Sequence, residues 1–449
     1  MLLTAGLLAI LALPVAATET ARQDAPPNVL IITVDALRYD RLSAYGYRKV
    51  TSPAIDALLA QSIRFDDAYT PEPLTAPSMY SMLTSLTPDL HGASRNAVPM
   101  RPGLDSLPKT LARHGYRTVA FVANWTLRDR LTGLGRHFDD YHEVLVRKRW
   151  WGLVSAEAGA QDVNAAVERW MDQVGHRRLS GRPWMLWIHY VDPHAPYLLH
   201  SEFARRLGLP NHGLDKSHRY DTEVAFSDAA IGVLLPKLLA PEALGQNTIV
   251  VFAADHGESL GEHGYWGHGR NLYQETVRVP LAIHWTGHFD ARTIEAPASL
   301  LDVEPTLLDL AGIPAAARRG ELAGFDWGPV LGGGAEPPAG RLLLLQAHRG
   351  AAINRPGGAA AREAGLLEVG VVQRGRKQTW RPGQHRLLTF DLVADGAERV
   401  NLTPEAAAPT PVLHELYAAI SSRLKALGTP DQTLDAAEIA KLRSLGYLQ

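Results

Sequence analysis

An α/β fold is predicted, with a central, mostly parallel sheet sandwiched by helices and a smaller C-terminal α+β subdomain. Three observations predict it. Five short runs, Asn28–Val34, Val119–Ala123, Trp184–Tyr190, Thr248–Ala254 and Val279–Trp285, are apolar on both faces, the mark of strands buried in a covered sheet. Helix-like stretches separate them, such as Ser52–Ser62, with Ser52 as cap and Pro53 at the first position, and Arg219–Leu239. Alternating strands and helices give a sheet with helices on both faces. After Gly312-Ile313-Pro314 the texture changes. Residues 315–340 are rich in Ala, Gly and Pro and read as a connector. Beyond it, Leu342–Gln346, Leu366–Gln373 and Arg386–Asp391 read as strands of a small sheet, closed by helices at Pro411–Leu427 and Leu434–Ser444.

Composition is that of an ordinary globular chain: 449 residues, 46% hydrophobic and 20% charged. The net charge of −2 provides no global field towards nucleic acid, so an anionic substrate must be captured by local groups. With no cysteine, disulfides, thiolate metal sites and cysteine nucleophiles are excluded. Residues 1–17 read as a signal peptide: Leu2–Val15 is almost wholly apolar, and Ala16-Ala17 precedes polar Thr18-Glu19-Thr20. No Lys or Arg precedes that run, so an uncleaved N-terminal anchor is the competing reading. Either way a periplasmic or secreted protein is expected. Arg147-Lys148-Arg149-Trp150-Trp151 is basic and aromatic; it suits contact with an anionic polymer or a membrane surface, but reads first as a solvated loop with a partly buried Trp.

In open α/β sheets, chemistry gathers beyond the carboxyl ends of the strands. Asp35 closes the first strand, where it suits either a hard cation or a helix cap. Asp255-His256-Gly257-Glu258 closes the fourth, and Gly257 allows a sharp backbone turn there. Asp35, Asp255 and His256 together offer an O,O,N set for one divalent cation. The third strand, after WMLWI, runs out through His189-Tyr190-Val191-Asp192-Pro193-His194-Ala195-Pro196-Tyr197, whose two prolines stiffen the loop around His194. Glu262 to Gly269 interleaves glycines with His263 and His268, and histidine is the side chain best suited to proton transfer near neutral pH. A hydroxyl nucleophile is sought in Thr75-Ala76-Pro77-Ser78. There Thr75 or Ser78 would open a helix whose N-terminus favours an anion.

Together these segments resemble the sulfatase family of the alkaline-phosphatase superfamily. The likeness runs from NVLIITVDALRYD through TAPSMYSMLTSLTPDLHG and LWIHYVDPHAPY to AADHGESLGEHGYWGHG. It implies a catalytic domain over residues 26–335 and a C-terminal subdomain over 336–449. It also implies that Asp35, Asp255 and His256 bind one divalent metal (Ca, Mn, Zn or Mg) and that Thr75 holds the nucleophile position, its oxygen joining the metal. Departures matter. Sulfatases proper carry Cys or Ser there, oxidised to formylglycine within C/S-x-P-x-R; here Thr75 and Met79 stand in place of the oxidisable residue and the Arg. A secondary carbinol cannot become an aldehyde, so no formylglycine is expected. The early Asp pair of many sulfatases is single, since Val34 precedes Asp35.

Relatives with Thr at this position, the phosphoethanolamine transferases and lipoteichoic acid synthases, transfer phosphoryl-containing groups. By that likeness His194 and His268 fall on histidines of the transferase motifs. Those relatives carry several membrane spans, whereas no segment after the N-terminal run is apolar enough for one. The expectation is therefore a metal-dependent hydrolase of sulfate or phosphate esters, with Thr75 attacking and His194 or His268 protonating the leaving alcohol. Its substrate would be a small-molecule, glycan or lipid-headgroup ester, with no nucleic acid and no stable protein partner. A phospho-group transferase acting on envelope glycans and an inactive binding protein of the same fold are the alternatives.

Overall fold

The computed structural model describes residues 25–427 apart from 147, 150–153, 156–157, 175–180, 211, 213, 242, 244, 246, 315–316, 318–319, 321, 349–364 and 405–406. The signal-peptide reading and the helix expected at Leu434–Ser444 fall outside the described residues, as does most of the Arg147–Trp151 run.

Eight strands form the central sheet: β1 (Asn28–Val34), β2 (Ile63–Phe65), β3 (Arg117–Val122), β4 (Asp140–Glu143), β5 (Trp184–Tyr190), β6 (Thr248–Ala254), β7 (Leu281–Trp285) and β8 (Arg292–Ile294). Their order is β8-β2-β7-β6-β1-β5-β3-β4. Only β7 runs against the rest. Every residue of β5 and β6 is buried, which requires cover on both faces. That cover is helical. α1 (Pro53–Leu59) and α4 (Ala160–Val174) both pack on α5 (Lys216–Leu239), and α2 (Thr75–Thr84), α3 (Leu107–Arg113) and α6 (Val303–Leu310) pack on one another. All ten residues of α2 are buried, as its uniformly apolar or small side chains require.

Three strands at or near the sheet margins, β2, β4 and β8, are too short to leave an alternation that can be read from the chain. β7 starts two residues later than expected, after Pro280, which has no N–H for a ladder. Ser52 precedes α1 but makes no capping bond to its backbone; its hydroxyl turns to the Asp56 carboxylate, 3.2 Å away. The cap comes instead from α5. Asp228 accepts from Ala54 N and Ile55 N, at 3.2 and 2.7 Å. α5 itself begins at Lys216, capped by Asp215.

Residues 315–340 are more than a connector. Trp327 is buried against Phe65 and donates its indole N–H to Asp302 at 2.9 Å, just before a short helix at Gly328–Leu331. The C-terminal sheet is antiparallel, in the order β9 (Leu343–His348), β10 (Leu366–Gln373), β11 (Arg376–Arg381) and β12 (Arg386–Asp391), with α7 (Pro411–Leu427) against β10. β11 escapes the pattern because Arg376-Lys377-Gln378 is polar, although Arg374-Gly375, both at positive φ, mark the hairpin before it.

This small sheet grips the segment leading into α2. Gln346 N donates to Pro71 O at 2.8 Å, and His348 Nδ1 donates to Glu72 Oε2 at 2.6 Å in a fully buried pair. Gln346 Nε2 and Arg423 Nε both reach Asp89, just beyond α2.

Candidate active site

Three parallel strands converge at their carboxyl ends. β1 ends at Asp35, whose N–H donates to Tyr190 O of β5 at 2.9 Å. β6 ends at Asp255, whose Oδ1 accepts from Ala36 N at 3.0 Å and from His256 N at 2.8 Å. These backbone bonds fix both carboxylates side by side. They leave Asp255 Oδ2 buried without a hydrogen bond, 3.4 Å from His256 Nε2. His256 Nε2 also lies 3.7 Å from Asp35 Oδ1 and 3.3 Å from Thr75 Oγ1. Its Nδ1–H donates to Gly257 O at 2.8 Å, so Nε2 carries the lone pair that faces the two carboxylates and the hydroxyl.

Thr75 is the first residue of α2 and is fully buried. Ser78, the competing hydroxyl, is committed elsewhere: it donates to Asp255 O at 2.6 Å and accepts from Thr70 at 2.8 Å. It thus ties the helix to the end of β6 and leaves Thr75 facing the acidic cluster. Gly257 shows no left-handed turn. Its need is close approach, because a Cβ there would sit 2.0 Å from Glu275 O.

His268 arrives from the loop between β6 and β7. Its Nδ1–H donates to Glu258 Oε1 at 3.0 Å, and its ring lies 4.2 Å from that of His256. The His194 ring packs edge-on at 5.1 Å from His268, with Nδ1–H donated to Ala195 O at 2.7 Å. Asp192 anchors that loop, since its carboxylate accepts from Ala160 N at the start of α4. Thr75, His194, His256 and His268 thus form one chain of contacts beside Asp35 and Asp255.

Sequence reasoning left three neighbours without a role. His189 is the first. It is buried in β5, its Nε2 3.5 Å from Asp35 Oδ2, and with Asp35 and Asp255 it offers ligand atoms all within 4.8 Å of one another. A histidine after an apolar run was its only signal. Asn124, just past β3, donates to Asp35 Oδ2 and is itself held by Thr126. Asn96 accepts from Ala76 N at 2.9 Å, and its buried Nδ2 makes no hydrogen bond. Neither asparagine stands in a recognisable pattern. Met79, at the position of the sulfatase arginine, is buried in the core and supplies no charge.

The electrostatics follow from burial. Desolvation, and next the Asp35 charge, push the Asp255 carboxyl up to about 6. Burial brings His189, His256 and His268 each down to about 4, which favours neutral imidazoles. Two apposed buried carboxylates, neutral imidazole nitrogens and an unsatisfied carboxylate oxygen are the donor set that fits a divalent cation. A hydroxyl at a helix N-terminus next to that set is placed for attack on an anionic ester.

The mostly parallel sheet, the small antiparallel C-terminal sheet and a polar site at the strand ends define an alkaline-phosphatase-like hydrolase fold. Within that class the assignment is specific: the sulfatase family matches residues 27–313, and the chain belongs to it. It is 27% identical to choline-sulfatase of Rhizobium meliloti over 372 residues, covering 68% of this chain and 72% of that protein. It is also 27% identical to human arylsulfatase A, covering 72% of this chain and 71% of the relative. Among solved structures, a complex with D-glucosamine-2-N,6-O-disulfate aligns with a TM-score of 0.70 at 20% identity, over 91% of this chain and all of the other. The phosphonate monoester hydrolase of Agrobacterium radiobacter aligns with a TM-score of 0.65 at 19% identity, over 89% and 95%.

Proposed function

We propose that the chain hydrolyses sulfate or phosphate esters with the Thr75 hydroxyl as nucleophile. The observation that carries this reading is the 3.3 Å contact of Thr75 Oγ1 with His256 Nε2, next to Asp35 and Asp255. Asp35, Asp255 and His256, with His189 adjacent, would hold a divalent ion. When bound, such an ion supplies positive charge that eases ionisation of the hydroxyl and offsets charge on the ester.

Thr75 Oγ forms a bond to sulfur or phosphorus while the bond to the alcohol oxygen breaks. The neutral Nε2 of His268 or His194 takes up the proton that the Thr75 hydroxyl sheds as it attacks and passes it to the departing oxygen, while Glu258 supports the His268 ring through Nδ1–H. Water then attacks the same sulfur or phosphorus and returns the hydroxyl to Thr75. α2 presents its N-terminus to the ester, and the Asn96 amide, bonded to Ala76 N, lies alongside to receive an ester oxygen. Formylglycine has no part, because a secondary alcohol cannot yield the aldehyde.

Thr75→Ala is expected to abolish turnover of aryl sulfates, phosphate monoesters and phosphodiesters with Mn, Zn or Ca, with the fold and metal content retained. Unchanged activity refutes the nucleophile assignment, and mass spectrometry of a trapped adduct on the Thr75 peptide supports it. Phosphoryl transfer is the second reading, favoured by threonine as the nucleophile. An added alcohol that diverts product from water distinguishes it. The apolar Leu2–Val15 run supports export to the periplasm or beyond. Cell fractionation, with N-terminal sequencing of the mature protein, tests that.

A further inference from the structure

The loop that carries His194 is only partly held by burial. From Ala195 to His200 no residue is fully buried, Leu198 is 41% exposed, and the segment forms neither strand nor helix. Its place is set by one face of α5, on which Thr222, Glu223, Phe226 and Ser227 recur at helical spacing. Ahead of His194, Ser227 donates its hydroxyl to Asp192 O at 2.7 Å. Beyond it, Glu223 Oε1 accepts from Leu198 N at 2.5 Å, and Oε2 pairs with His200 Nε2 at 2.8 Å. His200 N donates to Thr222 Oγ1 at 3.2 Å, and the His200 ring stacks on Phe226 at 4.1 Å.

Glu223 is the unusual member of this face. It is buried, and burial raises its carboxyl; the His200 bond opposes that shift and the Asp192 charge adds to it. A carboxylate buried near a like charge destabilises the fold unless its contacts offset the loss. Both oxygens of Glu223 make those contacts with the one loop. The segment so held bears on the reaction centre. The His194 ring stands edge-on 5.1 Å from that of His268, which lies 4.2 Å from His256, the ring in contact with Thr75.

We propose that Glu223 is a positioning residue: by holding the end of this loop on α5 it keeps His194 against His268, in place to hand a proton to the departing alcohol. The inference rests on the ester-hydrolase reading and adds to it a residue outside the polar cluster at the strand ends.

The test compares Glu223→Ala, Glu223→Gln and His200→Ala with the parent, as full-length, metal-loaded chains, on the 4-nitrophenyl and methyl esters of sulfate and phosphate. 4-Nitrophenolate leaves without a proton, whereas methanol needs one. Glu223→Ala is expected to lower kcat for the methyl ester about tenfold or more, general acid catalysis being worth about 10²–10⁴-fold, with kcat for the nitrophenyl ester within about threefold and both KM values held. Glu223→Gln can still accept from Leu198 N and is expected to recover most of the loss. His200→Ala removes a partly exposed ring, shows the same pattern more weakly, and keeps the test open should Glu223→Ala not fold. Hydrogen exchange gives a readout independent of turnover: the Leu198 amide is expected to exchange about tenfold faster in Glu223→Ala but not in Glu223→Gln. Equal losses on the two kinds of ester, no loss on either, a Gln variant as impaired as the Ala variant, or unchanged exchange at Leu198 overturns the proposal. No turnover of any of these esters by the parent overturns the hydrolase reading instead, and the exchange measurement still decides whether Glu223 holds the loop.

Discussion

Asp35 owes its orientation to a residue 89 positions away. Asn124 donates to Asp35 Oδ2, and its own carbonyl is held by Thr126 N and Thr126 Oγ1 at 2.7 and 2.8 Å. A hydrogen bond of this kind aims a carboxylate and fixes which oxygen remains for a cation. Asn124→Ala is therefore expected to weaken divalent-metal affinity by about 10–100-fold, the usual cost of losing such a supporting contact. Metal titration followed by calorimetry reads that directly, and unchanged affinity would show that Asp35 is positioned by its backbone alone. His256 depends in the same way on its Gly257 carbonyl partner, but that partner is backbone and cannot be removed by substitution.

At the scale of elements, α1 and α5 are joined through Asp228. Its carboxylate accepts two N–H groups from the first turn of α1, yet burial outweighs them and raises its pKa to about 6. The sign follows from linkage. Between about pH 4 and pH 6 the folded protein holds this proton more tightly than the unfolded chain, so stability attributable to Asp228 falls as pH rises through that window and is level above it. The stability of the parent relative to Asp228→Asn should accordingly drop by about 1–3 kcal/mol from pH 4 to pH 7, measured by urea unfolding. A flat difference would mean that Asp228 ionises normally.

β9 and the segment before α2 are joined by the buried Glu72–His348 pair, with burial driving the Glu72 carboxyl upwards. His348→Ala leaves that carboxyl unpaired and is expected to cost about 3–5 kcal/mol. Glu72→Gln can still accept from the imidazole and should cost less. Equal losses in the two variants would count against a specific pairing.

For the whole molecule, the acidic end of the sheet is the place where folding and ligand binding meet. Two like-charged carboxylates are buried together, and a bound cation would relieve their repulsion. Chelation is expected to lower the thermal midpoint, and added divalent metal to restore it. A free ion at 100 times its dissociation constant contributes about 2.7 kcal/mol. A midpoint indifferent to chelator and metal would argue that the cluster holds no ion. Restoration should fail in Asp255→Asn, which removes a charge the ion would offset.

The amino-acid sequence by itself determined the long inner strands, because residues buried on both faces must be apolar throughout, and β1, β5 and β6 have the limits read from the chain. It also determined which polar residues stand at the strand ends, since Asp35 and Asp255-His256 each follow directly on such a run. Family likeness singled out Thr75 where composition left Ser78 equally open. Tertiary structure decided what depends on neighbours distant in sequence. It turned Ser78 to the Asp255 carbonyl and Thr75 to His256, brought His189, Asn96 and Asn124 to the cluster, and moved the α1 cap from Ser52 to Asp228. It also set the C-terminal sheet against the segment that leads into α2 and the loop that follows His268. The physical reason is range: burial period and turn chemistry act between near neighbours along the chain, whereas a hydrogen-bond partner or a shared cavity is settled only when separate strands are laid side by side.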